Sequence, residues 1–341
     1  MELRKDPITR SWVLTGNMES AAAERRPCPY CSGNESLGPA PMYSLPFGSH
    51  SGAVRVFAHP HPLYRIEDYP DRRAEGIYDK MHTTGAHEVI IESPDHNARL
   101  SMADENDVAH MLQCWALRID DLKKDLRFKY VTVFKNQGRF AGQEIFHPHS
   151  EITATPFIPR RILYELRASQ EYFARKERCV LCDIERQEEQ QGTRVVDITP
   201  GYLALCPFSS RVPYEIWILP RYHHSSFEAD ILHRRDASEL AGILRRCLAR
   251  LEQITDAYHL VLHTAPNTAA RREVRGYWST IEDDYHWHIE ILPITEKQIK
   301  SYSIKETYYC PVAPETAAAE LKDLPSTREA LPQRRMEFKE S

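Results

Sequence analysis

The chain has 341 residues, 42% hydrophobic and 27% charged, an ordinary balance for a globular protein with a sizeable core in one large domain or two. Its formal net charge of −5 is spread along the sequence, which gives no support for a nucleic-acid or membrane partner. No apolar run approaches the roughly 20 residues that span a bilayer, and MELRKDPITRSWVLTG lacks the apolar segment of a secretory signal, so a cytoplasmic protein is expected.

In chain order, the first chemical signal is CPYC, with Cys28 and Cys31. AHPHPL follows, its His59 and His61 in a proline-rich loop with no cysteine partner, which reads as two surface imidazoles. HEVIIESPDH (87–96) predicts a buried strand broken by Pro94 and ending at His96. Val108, Met111, Leu112, Trp115, Ile119 and Leu122 fall on one face of a helix. KYVTVFKNQG (129–138) predicts a strand running into a polar loop, and FHPHSEI then brings His147 and His149.

The same order recurs. CVLC supplies Cys179 and Cys182, and the charged ERQEEQQGTR (185–194) reads as a solvated loop. YEIWILPRYHH (214–224) predicts a strand ending in histidines, and Leu240 to Ile254 a helix. YHLVLHTAP (258–266) predicts a strand, and HWH places His286 and His288. A repeated order of cysteine pair, strand, Pro-to-His step, helix, strand and His-x-His predicts two similar α+β modules. They span 1–160 and 161–341, each an antiparallel sheet with helices, in a pseudo-symmetric pair.

Paired cysteines in a reducing compartment point to metal or redox chemistry. A closed zinc site takes four ligands, commonly two thiolates and two imidazoles. Each half offers one such set: Cys28, Cys31, His96 and His147, then Cys179, Cys182, His223 and His286. Either His223 or His224 can ligate, and His223 keeps the Pro-x-x-His spacing. Cys114, Cys206, Cys247 and Cys310 read as core thiols.

RKDPITRSWVL, ERRPCPYC, SPDH, FKNQG and HPHSE together resemble galactose-1-phosphate uridylyltransferases and the related nucleotide-sugar phosphorylases, including plant ADP-glucose phosphorylase. The resemblance runs through PVAPETAA near the end of the chain. It implies two histidine-triad-like modules, a homodimer, and transfer of a nucleoside monophosphate between a nucleotide sugar and a sugar phosphate. The route implied is ping-pong through a nucleotidyl-histidine, with His149 as nucleophile and His147 on zinc. A metal gripping His147 would also fix where His149 points, as residues two apart on a strand share a side.

By the same resemblance Arg26 holds phosphates, and Asn136 and Gly138 belong to a nucleotide-contacting loop. The bacterial relatives imply a rival second metal set, Glu165 with His263, His286 and His288, in which the metal can be iron. With the second cysteine pair present, Glu165 reads as an exposed helix residue.

Three positions depart from the family pattern. Glu151 stands where a glutamine donates to the transferring phosphoryl group, although an ionised carboxylate only accepts. It is protonated, turned towards a cation, or a sign of altered chemistry. His59 replaces an asparagine near the base, and SIKETYYCPV (303–312) lacks the glycines of a sugar loop. A nucleotide-sugar phosphorylase, or a zinc-stabilised nucleotide-binding protein with little transfer, are the alternatives these departures keep open.

Overall fold

The computed structural model describes residues 1–16, 27–48, 51–235, 237–271, 278–296 and 308–327. Arg26 and residues 303–307 of the C-terminal loop lie outside these. The first half contains β1 (Glu2–Lys5), β2 (Trp12–Thr15), β3 (Tyr43–Pro46), β4 (Ala53–Ala58), β5 (Arg73–Glu75), β6 (Tyr78–His82), β7 (Ala86–Ile91), α1 (Glu105–Lys123), β8 (Tyr130–Gln137) and β9 (His149–Thr155). The second half opens with α2 (Arg160–Lys176), α3 (Val180–Gln191), β10 (Val195–Ile198), β11 (Tyr202–Leu205) and β12 (Ile216–Pro220). It continues with α4 (Phe227–His233), α5 (Ser238–Leu251), β13 (Tyr258–His263), α6 (Ile281–Asp284), β14 (His288–Pro293) and α7 (Pro314–Asp323).

The α+β class expected from the sequence is what the chain adopts. Ten strands form one sheet in the order β10-β11-β12-β14-β13-β8-β9-β7-β4-β3, and the pairings between them are antiparallel. The halves meet where β13 pairs with β8, from Tyr258↔Gln137 to Leu262↔Val133. Outward from that seam each half runs in matching order, so the strand after each His-x-His, β9 or β14, lies next to the central strand. The register repeats too: Phe134 faces Glu151, and Val261 faces Glu290. A smaller sheet, β2-β1-β6-β5, which the motif pattern did not announce, is built from the N-terminal segment.

Strand alternation sorts the sheet's two faces. Val131, Val133, Ile152, Ala154, Leu260, Leu262, Ile289 and Ile291 point one way, into the main core with the apolar faces of α1 and α5. Asp104 caps α1, its carboxylate accepting from the Asn106 N–H at 2.9 Å. The opposite face carries His87, His149, Glu151 and their neighbours. Function is thus placed on one side of the sheet and the core on the other.

Two readings need correction. ERQEEQQGTR is not a solvated loop: α3 runs to Gln191 and ends on Gly192 in the left-handed region. Its inward side carries charge where an apolar stripe would be expected, because Glu188 and Arg194 form a buried bidentate pair at 2.9 Å. The core-thiol reading fits Cys114, Cys206 and Cys247, which are buried, whereas Cys310 is half-buried and donates to the Val312 carbonyl. Among the described residues no helix is long and apolar enough to cross a membrane.

Candidate active site and metal centres

Cys28, Cys31, His96 and His147 converge from three separate stretches of the first half. The Cys31 sulfur lies 3.4 Å from His96 Nδ1 and 3.8 Å from His147 Nδ1, and the Cys28 sulfur 3.7 Å from His147 Nδ1. Sulfur and nitrogen bound to one tetrahedral zinc lie about 3.6 Å apart, from the usual Zn–S and Zn–N lengths. The far nitrogen of His147, Nε2, donates to the Ser93 carbonyl at 2.7 Å, leaving Nδ1 with its lone pair towards the sulfurs. Burial holds His147 down at about 4, so the ring is neutral at neutral pH, as a ligand must be.

The second set repeats this logic. Cys182 lies 3.3 Å from His223 Nδ1 and 3.4 Å from His286 Nδ1, with Cys179 completing the group. His223 Nε2 donates to the Glu282 carbonyl at 2.8 Å. His224, the other histidine of PRYHH, points elsewhere and is buried. Both groups fit a four-coordinate metal by donor type, spacing and tautomer.

The rival set separates from the second. Glu165, His263, His288 and Glu290 gather without His286. Glu165 is therefore not a bystander on an exposed helix: it accepts from His263 Nδ1 at 2.8 Å. Burial opposes charge on His263, but Glu165 and Glu290 raise it to about 9. Arg161 and Arg211 contact the two Glu290 oxygens at 2.9 and 2.7 Å, and Arg211 also pairs with Glu215. Three carboxylates thus face two guanidinium groups and the His263 ring.

His149 opens β9 and is 1% exposed. Its Nδ1 donates to the His147 carbonyl at 2.8 Å, so the lone pair sits on Nε2, which has no hydrogen-bond partner among the described residues. The strand beneath is held firmly. Lys135 donates to the His149 carbonyl at 2.9 Å and to Glu92 at 2.8 Å, and Trp115 of α1 donates to Ser150 Oγ at 2.8 Å. The local structure thus holds an imidazole with an unpaired Nε2, among the described residues, on a fixed backbone.

Beside it, Glu151 Oε1 lies 3.6 Å from His149 Nε2, while Oε2 accepts from His87 Nε2 at 2.8 Å. His59 stacks on His87, ring centroids 4.0 Å apart, with its own Nε2 3.8 Å from Glu151 Oε2. His59 is thus no surface imidazole, although the half-buried His61 remains at the rim. Burial works against charge on Glu151, but the adjoining His149 and His87 rings hold it down at about 2. These contacts favour the ionised form of Glu151 at neutral pH.

A carboxyl group depressed below its ordinary 4.5 contributes stability in full above that value and loses it as pH falls towards 2. Glu151→Gln is expected to remove at most about 3 kcal/mol of this acid-side dependence. Urea midpoints measured from about pH 5 down to about pH 3 would fall less steeply in the variant; parallel slopes would contradict the assignment.

Asn136 and Gly138 sit at the end of β8. Asn136 shares a hydrogen bond with His259 Nδ1 at 2.8 Å across the seam between halves. Gly138 has φ +86, and a Cβ there would lie 2.8 Å from the Asp256 carbonyl, so glycine is required by the fold itself.

The family model for the galactose-1-phosphate uridyl transferase N-terminal domain matches residues 59–159, the stretch that holds His96, His147, His149 and Glu151. Galactose-1-phosphate uridylyltransferase of Thermotoga maritima is 28% identical over 340 residues, covering 95% of this chain and 98% of the relative. The chain is similar to galactose-1-phosphate uridylyltransferases along nearly its whole length. ADP-glucose phosphorylase of Arabidopsis thaliana is also 28% identical, over 96% of this chain and 93% of that protein. A solved uridylyltransferase structure superposes with a TM-score of 0.77 at 26% identity, covering 94% of this chain and 97% of that one. The Arabidopsis ADP-glucose phosphorylase with bound ADP-glucose gives 0.70 at 26% identity, over 95% and 99%.

With these similarities the chain is an enzyme of the transferase class. Sequence reasoning missed His87 and Lys135, both lying inside quoted strands. Alternation from Ile91 and Val89 places His87 on the functional face, a signal that was available. Nothing local in KYVTVFKNQG marks Lys135 as a buried cation.

Proposed function

We propose that this protein moves a nucleoside monophosphate between a nucleotide sugar and a sugar phosphate through a nucleotidyl-His149 intermediate. The observation that carries this reading is the division of labour in HPH, where His147 faces two sulfurs and His149 presents a bare, fixed Nε2. Nε2 attacks the α-phosphorus and the sugar phosphate leaves with the bond's electron pair. The acceptor phosphate then attacks the same phosphorus and frees the ring. Because both acceptor and leaving group are phosphates, neither half-reaction demands a strong general acid or base.

Zinc is the proposed metal of both cysteine–histidine sets. When bound it supplies a rigid clamp for His96 and His147, beside the nucleophile, and ties α3 to His223 and His286. Cys28→Ser is expected to lower bound zinc by about one equivalent per chain while the second site keeps its own. Elemental analysis of the purified variant checks this; loss of both equivalents would show that the sites are not independent. A cytoplasmic homodimer, built of modules divided near residue 160, completes the proposal.

The similarity to ADP-glucose phosphorylase supports a second reading, with inorganic phosphate as acceptor. Incubation with α-phosphate-labelled UDP-glucose and ADP-glucose, then a chase with galactose 1-phosphate or inorganic phosphate, separates the two. Labelled UDP-galactose supports the first reading, and labelled ADP released by phosphate supports the second. No protein-bound label from either donor would contradict both.

A further inference from the structure

Glu151 is held in an unusual way. His87 Nδ1 accepts the Leu63 N–H at 3.1 Å, and His59 Nδ1 accepts the His61 N–H at 3.1 Å. A neutral imidazole with an accepting Nδ1 carries its proton on Nε2. Both stacked rings therefore turn an Nε2–H towards the same oxygen of Glu151. The arrangement also argues against a metal among His59, His87 and Glu151, because neither Nε2 has a lone pair to offer. The matching carboxylate of the second half, Glu290, is held differently, by Arg161 and Arg211. Among the described residues, guanidinium groups meet only the second half's glutamate, whereas imidazole donors hold Glu151 and no described Lys or Arg cancels its charge.

We propose that this pinned carboxylate stabilises the covalent intermediate, with His59 and His87 as positioning residues that hold Glu151 in place. The proposal rests on the nucleotidyl-His149 reading. When Nε2 forms its bond to phosphorus, the bond to the leaving phosphate breaks and Nδ1 keeps its proton. The ring becomes an imidazolium bearing one positive charge, with Glu151 Oε1 only 3.6 Å from the bonded nitrogen. In a buried site that attraction is weakly screened. Glu151 does not act as a proton acceptor: a carboxylate already receiving Nε2–H donors, and held at about 2, is a poor base at neutral pH.

The test is the equilibrium between free and nucleotidylated enzyme, measured with labelled UDP-glucose and ADP-glucose at fixed glucose 1-phosphate. Glu151→Gln is expected to lower that equilibrium constant at least tenfold. His87→Leu should lower it similarly, and His87→Gln, whose amide can donate in place of Nε2–H, should restore most of it. A constant unchanged or raised in Glu151→Gln overturns the inference and leaves a carboxylate that merely repels phosphate. A wild-type protein that takes no label from any nucleotide sugar overturns instead the transferase reading on which the inference stands.

Discussion

His149→Ala is expected to abolish the covalent intermediate and to reduce turnover by roughly four to six orders of magnitude, the range seen when a catalytic nucleophile is removed. The fold should survive. The His149 side chain donates only to a carbonyl two residues away, while the backbone at this point is held by Lys135 and the next residue by Trp115. Steady-state rates with UDP-glucose and galactose 1-phosphate, beside a thermal melt, check both halves of the statement. Residual turnover within a hundredfold of wild type would remove His149 from the nucleophile role.

The second large effect is structural. Lys135 and Glu92 have side chains about 2% exposed and form an ion pair at 2.8 Å, with Lys135 also donating to the His149 carbonyl. Removing one partner leaves the other charge buried and unpaired, which costs about 3–5 kcal/mol. Lys135→Met is therefore expected to lower Tm by about 5–10 °C in a domain of this size. Because the His149 carbonyl also loses its donor, turnover should fall as well. Lys135→Met combined with Glu92→Leu should recover much of the stability, since neither charge then remains. A single variant as stable as wild type would show that water satisfies Glu92, contrary to its burial.

These two residues mark where sequence reading reached and where it stopped. The gathering of Cys28, Cys31, His96 and His147 was legible because CPYC, SPDH and HPH supply donors that suit one metal. The elements around them were legible, β7, β8, β12 and β13 as short apolar runs and α1 and α5 from helical periodicity. Lys135 was silent because its role depends on Glu92, which lies on a different segment and meets it only through sheet packing. The charged face of α3 misled for a related reason: Glu188 looks solvent-bound until Arg194 folds back against it. His59 misled in the other direction, as a proline-rich loop gave no sign that it would stack on His87.

The repeat also explains an ambiguity over the second metal. Spacing alone let two schemes claim His286, because HWH offers two histidines one residue apart. The structure turns His286 towards Cys182 and His288 towards Glu290, on the two sides of one short segment. The first half makes the same division at His147 and His149. What differs, among the described residues, is that the following glutamate meets arginines as well as histidines in one half and histidines alone in the other.

Peptide mapping of the protein labelled from α-phosphate-labelled UDP-glucose or ADP-glucose tests this account most directly. The phosphoramidate should reside on His149 alone, with His147 unlabelled and the His286–His288 segment clear. Label on His147 or His288, or on a side chain outside FHPHSEI, would contradict it.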